Sequence, residues 1–394
     1  MNTNLRISTN GEKRILIFSL VYYPRFIGGA EVAVKEITDR ISPEEISFDM
    51  VTLRFGMSTS EKIGNVTIYR TIPNFIPLSL AKYLFPFFAC ARALSLQRKN
   101  PYDATWSIMA NYAGFGALFF KLLRPKIPFV LTLQEGDPTE YIKKRVGFLY
   151  PIFKRIFTKA DSITAISTYL ANWAKEVRTK ETAVIPNGVD VEKFKNQNSK
   201  IKTEEIREKL GFSENDVVLV TASRLVEKNA VDVIVDSLQY LPENVKLLIC
   251  GTGPLEKNLK RKVQSLKLED RVVFGGFVTH DDLPKYLAAS DIFIRPSRSE
   301  GMGNSFIEAM AAGLPVIATP VGGIPDFLKD GETGLFCEVD NPKSVAQKVE
   351  KLIKDRESRD YIVANASGMV KEKYDWNLIA ERMKKEVFDI LIPS

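Results

Sequence analysis

The sequence predicts an α/β protein made of two doubly wound, Rossmann-like domains, and three observations lead there. The chain has 394 residues, about twice the commonest domain size. Short β-rich apolar runs alternate with helical patterns along its whole length. Several runs, such as Val217-Val218-Leu219-Val220, are apolar without alternation, as strands covered on both faces of a parallel sheet are.

In the first half the strand candidates are Arg14–Leu20, Phe48–Leu53, Val66–Arg70, Ile127–Leu133, Ser162–Ile166 and Thr182–Pro186. In the second half they are Val217–Ser223, Val245–Cys250, Val272–Phe274, Ile292–Pro296 and Val316–Thr319. Helical periodicity falls between them, at Ala30–Ile41, Val231–Leu241 and Leu255–Leu266, and the chain closes on helices at Pro342–Lys354, Arg356–Glu372 and Trp376–Leu391. Two successive βαβ series imply two domains. The Pro186-Asn187-Gly188 turn marks the boundary, and the polar stretch Glu192–Lys209 follows it. The expected division is 1–187, 188–375, and a C-terminal helix over 376–394 that packs back on the first domain.

Composition is that of a folded protein, 45% hydrophobic and 26% charged, which argues against long disorder or a disulfide scaffold. The net charge of +7 is uneven: residues 1–195 hold 27 Lys+Arg against 17 Asp+Glu, and the rest hold 28 against 31. A basic first half suits an anionic partner. Cys90, Cys250 and Cys337 have no paired spacing, so they read as reduced, buried thiols of a cytoplasmic protein. His280 is the only histidine, which excludes a multi-histidine zinc site; its place in Thr279-His280-Asp281-Asp282 reads as a surface position at a helix start. Met1–Lys13 is polar, with no signal peptide visible, and Lys82, Arg92 and Lys121 interrupt the longest apolar stretches, so no transmembrane helix is expected.

The most informative stretch is Asp291–Gly313. A strand ends at Pro296, a loop carries Ser299-Glu300-Gly301-Met302-Gly303-Asn304, and a helix follows from about Ser305. Two glycines let a ligand approach the backbone, and the helix start offers unpaired N–H groups and a positive dipole end: a site for phosphate or diphosphate. Glu300 and Glu308 suit sugar or ribose hydroxyls. Ser305-Phe306-Ile307-Glu308 also fits a capping box, in which Glu308 serves only its own helix. Arg224 and Lys228 follow a strand at the sheet edge where open α/β sheets bind ligands, and such a pair suits a diphosphate or a solvated surface. Gly251-Thr252-Gly253-Pro254 is a tight turn or a ligand-facing loop.

Taken in order, Ile185-Pro186-Asn187-Gly188-Val189-Asp190, Ser223-Arg224-Leu225-Val226, Gly251-Thr252-Gly253-Pro254, Gly276-Phe277-Val278, Glu300 to Glu308 with Ala309-Met310-Ala311-Ala312-Gly313-Leu314-Pro315-Val316, and Val321-Gly322-Gly323-Ile324-Pro325-Asp326 resemble a retaining glycosyltransferase of family 4. Gly28-Gly29-Ala30-Glu31 matches that family's glycine loop. The resemblance implies a GT-B architecture, with two Rossmann-like domains facing a central cleft, and a nucleotide-sugar donor. It implies that Arg224 holds the diphosphate, Glu300 the transferred sugar and Glu308 the ribose. The N–H groups of Gly301, Met302, Gly303 and Asn304 would cradle phosphates, with Phe277 and Val278 at the base and Gly253, Gly28 and Gly29 as further donor contacts. Two positions depart from the pattern. The family's Lys, five residues after the Arg, is Asn229 here, so Lys228 is expected to take that role with Asn229 as a weaker contact. In place of the family's His near the sugar stands Gln134, which can hydrogen-bond a sugar hydroxyl but cannot titrate, with Glu135 next to it as a further sugar or acceptor contact.

Retention needs no dedicated base: the departing phosphate oxygen can take the acceptor proton while cationic groups stabilise the diphosphate. No metal and no cofactor is expected, since no Asp-x-Asp occurs in the chain. Thr139–Lys159 mixes Lys143, Lys144, Arg145, Lys154, Arg155 and Lys159 with Phe148, Leu149, Tyr150, Ile152, Phe153, Ile156 and Phe157. It reads either as an interfacial helix kinked at Pro151 on the inner face of a membrane, serving a lipid-linked or polysaccharide-precursor acceptor, or as a helix packing its aromatics on the sheet. A dinucleotide oxidoreductase and a P-loop hydrolase lack their glycine motifs, an epimerase lacks its catalytic set, and no nucleic-acid-binding signature occurs. The alternative is a catalytically impaired nucleotide-sugar-binding subunit of a glycan assembly complex.

Overall fold

In the computed structural model, which describes residues 13–54, 59–73, 75–195 and 200–393, the chain divides into two units. The first holds the described residues up to Glu135, then Thr139–Asn187, then those from Trp376 on; the second holds Gly136–Pro138 and Gly188–Asp375. The predicted polar stretch Glu192–Lys209 lies partly outside the described residues, as does nearly all of Met1–Lys13.

The first unit carries strands β1 (Lys13–Phe18), β2 (Ile46–Leu53), β3 (Ser60–Ile63), β4 (Val66–Thr71), β5 (Ala104–Ile108), β6 (Phe129–Leu133), β7 (Ser162–Ala165) and β8 (Ala183–Val184). They lie in the order β3-β4-β2-β1-β5-β6-β7-β8, all parallel except β3, which pairs antiparallel with β4 through the tight turn at Gly64-Asn65. The apolar runs become strands because both faces are covered: Ile15, Leu16, Ile17 and Phe18 of β1 are all fully buried. Winding proceeds from β1 outward to β4, then resumes on the other side of β1 at β5. That reversal is a topological switch point, where open α/β sheets form a crevice.

The helices of this unit are α1 (Gly29–Asp39), α2 (Leu78–Lys99), α3 (Tyr112–Leu123), α4 (Thr139–Val146), α5 (Tyr150–Lys159) and α6 (Thr168–Val177). The C-terminal segment joins its core: Trp376, Ile379, Met383, Val387 and Phe388 pack with Ile15, Ile17, Phe48 and Trp106. The Phe388 ring lies 5.3 Å from that of Trp106 and 6.1 Å from that of Phe48. Over 139–159 the expected kink at Pro151 is instead a break at Gly147, whose φ is +56°. Pro151 stands in the first turn of α5, where its missing N–H leaves no bond unmade. The face of α5 bearing Phe153, Ile156 and Phe157 is buried and meets Phe115 and Trp173, so those aromatics are core.

The second unit has strands β9 (Val217–Ala222), β10 (Val245–Cys250), β11 (Val272–Gly276), β12 (Ile292–Arg295), β13 (Val316–Ala318) and β14 (Leu335–Phe336). Their order is β11-β10-β9-β12-β13-β14, every pairing parallel. Helices α7 (Val191–Lys195), α8 (Lys200–Lys209), α9 (Val231–Ser237), α10 (Glu256–Ser265), α11 (Leu283–Ala288), α12 (Asn304–Ala311), α13 (Pro342–Lys354) and α14 (Arg356–Lys373) accompany it. Here the reversal falls between β9 and β12, so the loops leaving those two strands define the crevice. Cys90, Cys250 and Cys337 are free and buried. Among the described residues no helix is long and apolar enough to cross a membrane.

Candidate active site

The crevice of the second unit gathers most of the sequence-predicted residues. From β9 the chain enters the loop of Arg224, Lys228 and Asn229; from β12 it enters the loop of Glu300 to Gly303 and then α12. Arg298 ties the two loops together. Its backbone N–H donates to Lys228 O at 2.7 Å, and its guanidinium meets Asp232 Oδ2 at 2.8 Å and Asp340 Oδ1 at 2.6 Å. Burial pushes the Asp232 carboxyl up, but the Arg298 bond and charge outweigh it and hold the group below its ordinary 3.8. A carboxyl depressed in the folded state adds stability above its unfolded pKa and loses it as pH falls through the folded value. Asp232→Asn is therefore expected to lower Tm at neutral pH, with the gap to wild type closing below about pH 4 in a thermal-melt series. A gap independent of pH would contradict the clamp.

Helix α12 begins at Asn304 after Gly303, whose φ is +85°. A β-carbon on Gly303 would stand 2.4 Å from Arg295 Nη2 and 2.7 Å from the Phe306 ring, so only glycine fits. Glu300 Oε1 accepts the Gly301 N–H at 3.0 Å, and Oε2 is ion-paired with Arg295. Lys228 Nζ reaches the same place. The point where a Gly136 β-carbon would stand lies 2.7 Å from Lys228 Nζ, 3.5 Å from Glu300 Oε1 and 3.6 Å from Gly301 N. Lys228 also contacts Asp137 Oδ1 at 3.2 Å. Ser223 Oγ and Ser297 Oγ, at the strand ends beside these loops, are buried without a hydrogen-bond partner.

Several expectations change. Asn229 is not a ligand-facing group: it is 5% exposed, and its amide donates to Arg224 O at 2.7 Å, so it shapes the loop that displays exposed Arg224. Glu308 does not close a capping box. It lies in the second turn of α12 and its Oε1 meets His280 Nε2 at 3.0 Å. His280 is accordingly not a plain surface residue; its ring also packs edge-on against Phe194, 5.9 Å between centroids. The signal was its position just past β11, at the same sheet edge. Gly253 has a packing reason of its own, since a β-carbon there would lie 2.5 Å from Leu225 O. Phe277 is exposed and Val278 half-buried, while Met302 is buried, leaving only backbone for a ligand.

Arg295 is the residue that the sequence reading missed. It is the last residue of β12, where an apolar residue would suit a strand buried on both faces, and it is 5% exposed. Besides Glu300, its guanidinium donates to Ser305 Oγ at 2.8 Å and lies 4.2 Å from the Phe306 ring centroid. Burial pulls its pKa down while the charges of Glu300 and Glu308 push it back up.

In the first unit, the Gly28 N–H is already taken by Glu31 Oε2 at 2.9 Å, and burial raises the Glu31 pKa. Gly28 thus serves the start of α1, and an anion there must displace Glu31; Gly29 is exposed. Gln134 accepts from Asn187 Nδ2 at 3.2 Å. Glu135 accepts the Ala110 N–H at 2.6 Å and the Gln134 N–H at 2.9 Å, so it holds the loops after β5 and β6. Among the described residues no group of three or more His, Cys, Asp or Glu side chains is placed to hold a metal.

The chain matches the family model "Glycosyltransferase Family 4" over residues 27–193 and "Glycosyl transferases group 1" over 202–369. It is 32% identical over 385 residues to N-acetyl-alpha-D-glucosaminyl L-malate synthase of Bacillus anthracis, covering 95% of this chain and 97% of the relative. It is 26% identical over 384 residues to an uncharacterized glycosyltransferase of Methanocaldococcus jannaschii, covering 93% and 96%. The crystal structure of Anabaena HepE in complex with UDP and glucose superposes with a TM-score of 0.80 at 22% identity, covering 95% of this chain and 99% of that one. The two doubly wound sheets are thus those of the GT-B fold.

Proposed function

Because the chain belongs to glycosyltransferase family 4, we propose that it moves a sugar, with retention, from a nucleoside diphosphate to a lipid-linked or polysaccharide-precursor acceptor, without a metal ion. One observation carries this reading: the loops leaving β9 and β12 at the topological switch point bring Lys228 Nζ and Glu300 Oε1 together beside the start of α12, both within 3.5 Å of where a Gly136 β-carbon would stand. A cation and a hydroxyl acceptor next to a helix start are what a phosphate bearing a sugar requires. Arg224 and Lys228 neutralise the diphosphate, the Gly301–Asn304 segment supplies N–H groups, and Glu300 binds hydroxyls of the transferred sugar. Glu308 takes the ribose and Phe277 with Val278 flank the base. The donor's bond from anomeric carbon to phosphate oxygen breaks as the acceptor oxygen bonds to that carbon from the same face. The acceptor proton passes to the departing phosphate oxygen, so these residues contribute charge stabilisation and orientation. UDP and glucose in the HepE complex support a nucleotide-sugar donor.

A thermal-shift panel of UDP-glucose, UDP-N-acetylglucosamine, GDP-mannose and ADP-glucose tests the donor half. A ligand at about 100 times its Kd adds about 2.7 kcal/mol, a rise of several degrees in Tm; no shift with any of the four overturns the reading.

The acceptor half rests on the surface of α2, α3 and α5. Phe148 is 90% exposed, and Tyr83, Phe87, Leu122, Leu123, Leu149 and Ile152 are exposed with it. Residues 141–159 carry six Lys or Arg and no acid, and 104–134 no acid either. An apolar face rimmed by cations, of which Lys143 pairs with Glu140, fits an anionic bilayer, each cation near the surface adding about 1 kcal/mol. Phe148→Glu with Ile152→Glu is expected to abolish co-sedimentation with vesicles containing phosphatidylglycerol while leaving Tm unchanged. Wild-type binding that ignores both lipid charge and salt would remove the membrane from the proposal.

A further inference from the structure

We infer that Arg295 is a positioning residue that aims the Glu300 carboxylate at the transferred sugar, and so sets how far the protein prefers a sugar nucleotide over the bare nucleotide. The inference deepens the reading of Glu300 given above and rests on it. A strand buried on both faces has no structural need for a charge at its last residue, and burying a guanidinium is costly unless it is fully engaged. Here the engagement is almost entirely with the site. One Nη pairs with Glu300 Oε2, the other donates to Ser305 Oγ at 2.8 Å in the first turn of α12, and the plane lies over the Phe306 ring. Only a longer contact, to Ala222 O at 3.4 Å, reaches back into the sheet, and Nε has no partner. Gly303 leaves room for this arrangement, because a β-carbon there would overlap Nη2.

The geometry divides the Glu300 carboxylate by function. With Oε2 held by Arg295, the rotamer is set. Oε1 then lies beside the Gly301 N–H and near Lys228, where a sugar hydroxyl meets it. Without Arg295, Glu300 Oε2 loses its anchor and the carboxylate is free to rotate away from the transferred sugar. A lysine at 295 keeps charge but lacks the planar fork that spans Glu300 and Ser305.

The test compares UDP, GDP and ADP with UDP-glucose, UDP-N-acetylglucosamine, GDP-mannose and ADP-glucose by calorimetry on the full chain, and adds Arg295→Met, Arg295→Lys, Glu300→Gln and the Arg295→Met/Glu300→Gln double variant. For the nucleotide that wild type binds, Arg295→Met is expected to weaken the sugar ester about tenfold and the bare diphosphate less than twofold. Arg295→Lys should fall between, and the double variant should match Glu300→Gln alone. Equal loss for both probes would make Arg295 a loop support, and an unchanged ratio or additive losses would likewise overturn the inference. Should Arg295→Met fail to fold, the ratio in Arg295→Lys decides: a fall of about threefold supports the inference and no fall overturns it. Wild type binding none of the probes would instead overturn the donor reading, and the inference with it.

Discussion

Arg224→Ala is expected to cost about 100-fold in nucleoside diphosphate affinity with no change in Tm. The side chain is exposed, so its removal leaves no cavity, and the loop that displays it is held by the Asn229 amide on Arg224 O, a backbone contact the substitution keeps. A charge-assisted hydrogen bond is worth about 1.5–3 kcal/mol, and a guanidinium makes two to a diphosphate. Even half of that sum is close to the factor of 100. Calorimetry with UDP, GDP and ADP measures it directly. Unchanged affinity would move the diphosphate away from the end of β9 and end the assignment of the crevice. Asn229→Ala is the informative partner, since it should weaken binding only by loosening the same loop.

Gly322→Ala is expected to disable the site from the opposite side. Gly322 has φ +57°, and a β-carbon there would fall 1.7 Å from the Glu300 carbonyl oxygen and 2.8 Å from its carbonyl carbon. Neither is a side chain that can swing aside. The left-handed backbone alone costs alanine about 1–2 kcal/mol, and the overlap forces the Glu300 backbone or the Val321–Gly323 turn to move. Gly323 N now donates to Glu300 O at 3.2 Å, so the turn and the loop shift together. The outcome is a Tm several degrees lower and transfer activity reduced by about 100-fold, since misplacement of about 1 Å at a catalytic group has that effect. Normal activity with a normal melt would mean that Glu300 need not be held.

Much of this was legible in the chain, for identifiable physical reasons. Strands buried on both faces declare themselves as unbroken apolar runs, so β1, β9, β10 and β12 could be read. Short or polar strands could not: β3 is Ser-Glu-Lys-Ile and forms only as a hairpin partner of β4, and β5 holds Thr and Ser and is decided by pairing with β1, far along the chain. Glycine spacing and the helix after it exposed the Glu300–Glu308 segment, because backbone approach and a helix terminus leave a local signature. Side-chain partnerships across the sheet edge leave none. The His280–Glu308 contact joins residues 28 apart, and the Arg295–Glu300 pair lies within five residues yet looks, in sequence, like one more charge among many. Asn229 misled because a family position was filled by a residue that turned inward. The aromatic run over 148–157 was ambiguous for a simpler reason: Phe148 is exposed and Phe153 buried, so it is at once surface and core.

The return of Trp376, Ile379, Met383 and Phe388 to the core of the first unit bears on how the molecule is made. On the ribosome the chain emerges from its N-terminus, and the second unit, from Gly188 to Asp375 apart from a three-residue segment, is complete before those side chains appear. The first unit, though synthesised earlier, has to wait with the apolar faces of β1, β2 and β5 uncovered until the segment from Trp376 on is released. A stop codon just before Trp376 should therefore be as damaging as lesions in the strands of the first unit, yielding aggregates of chains that lack this returning segment.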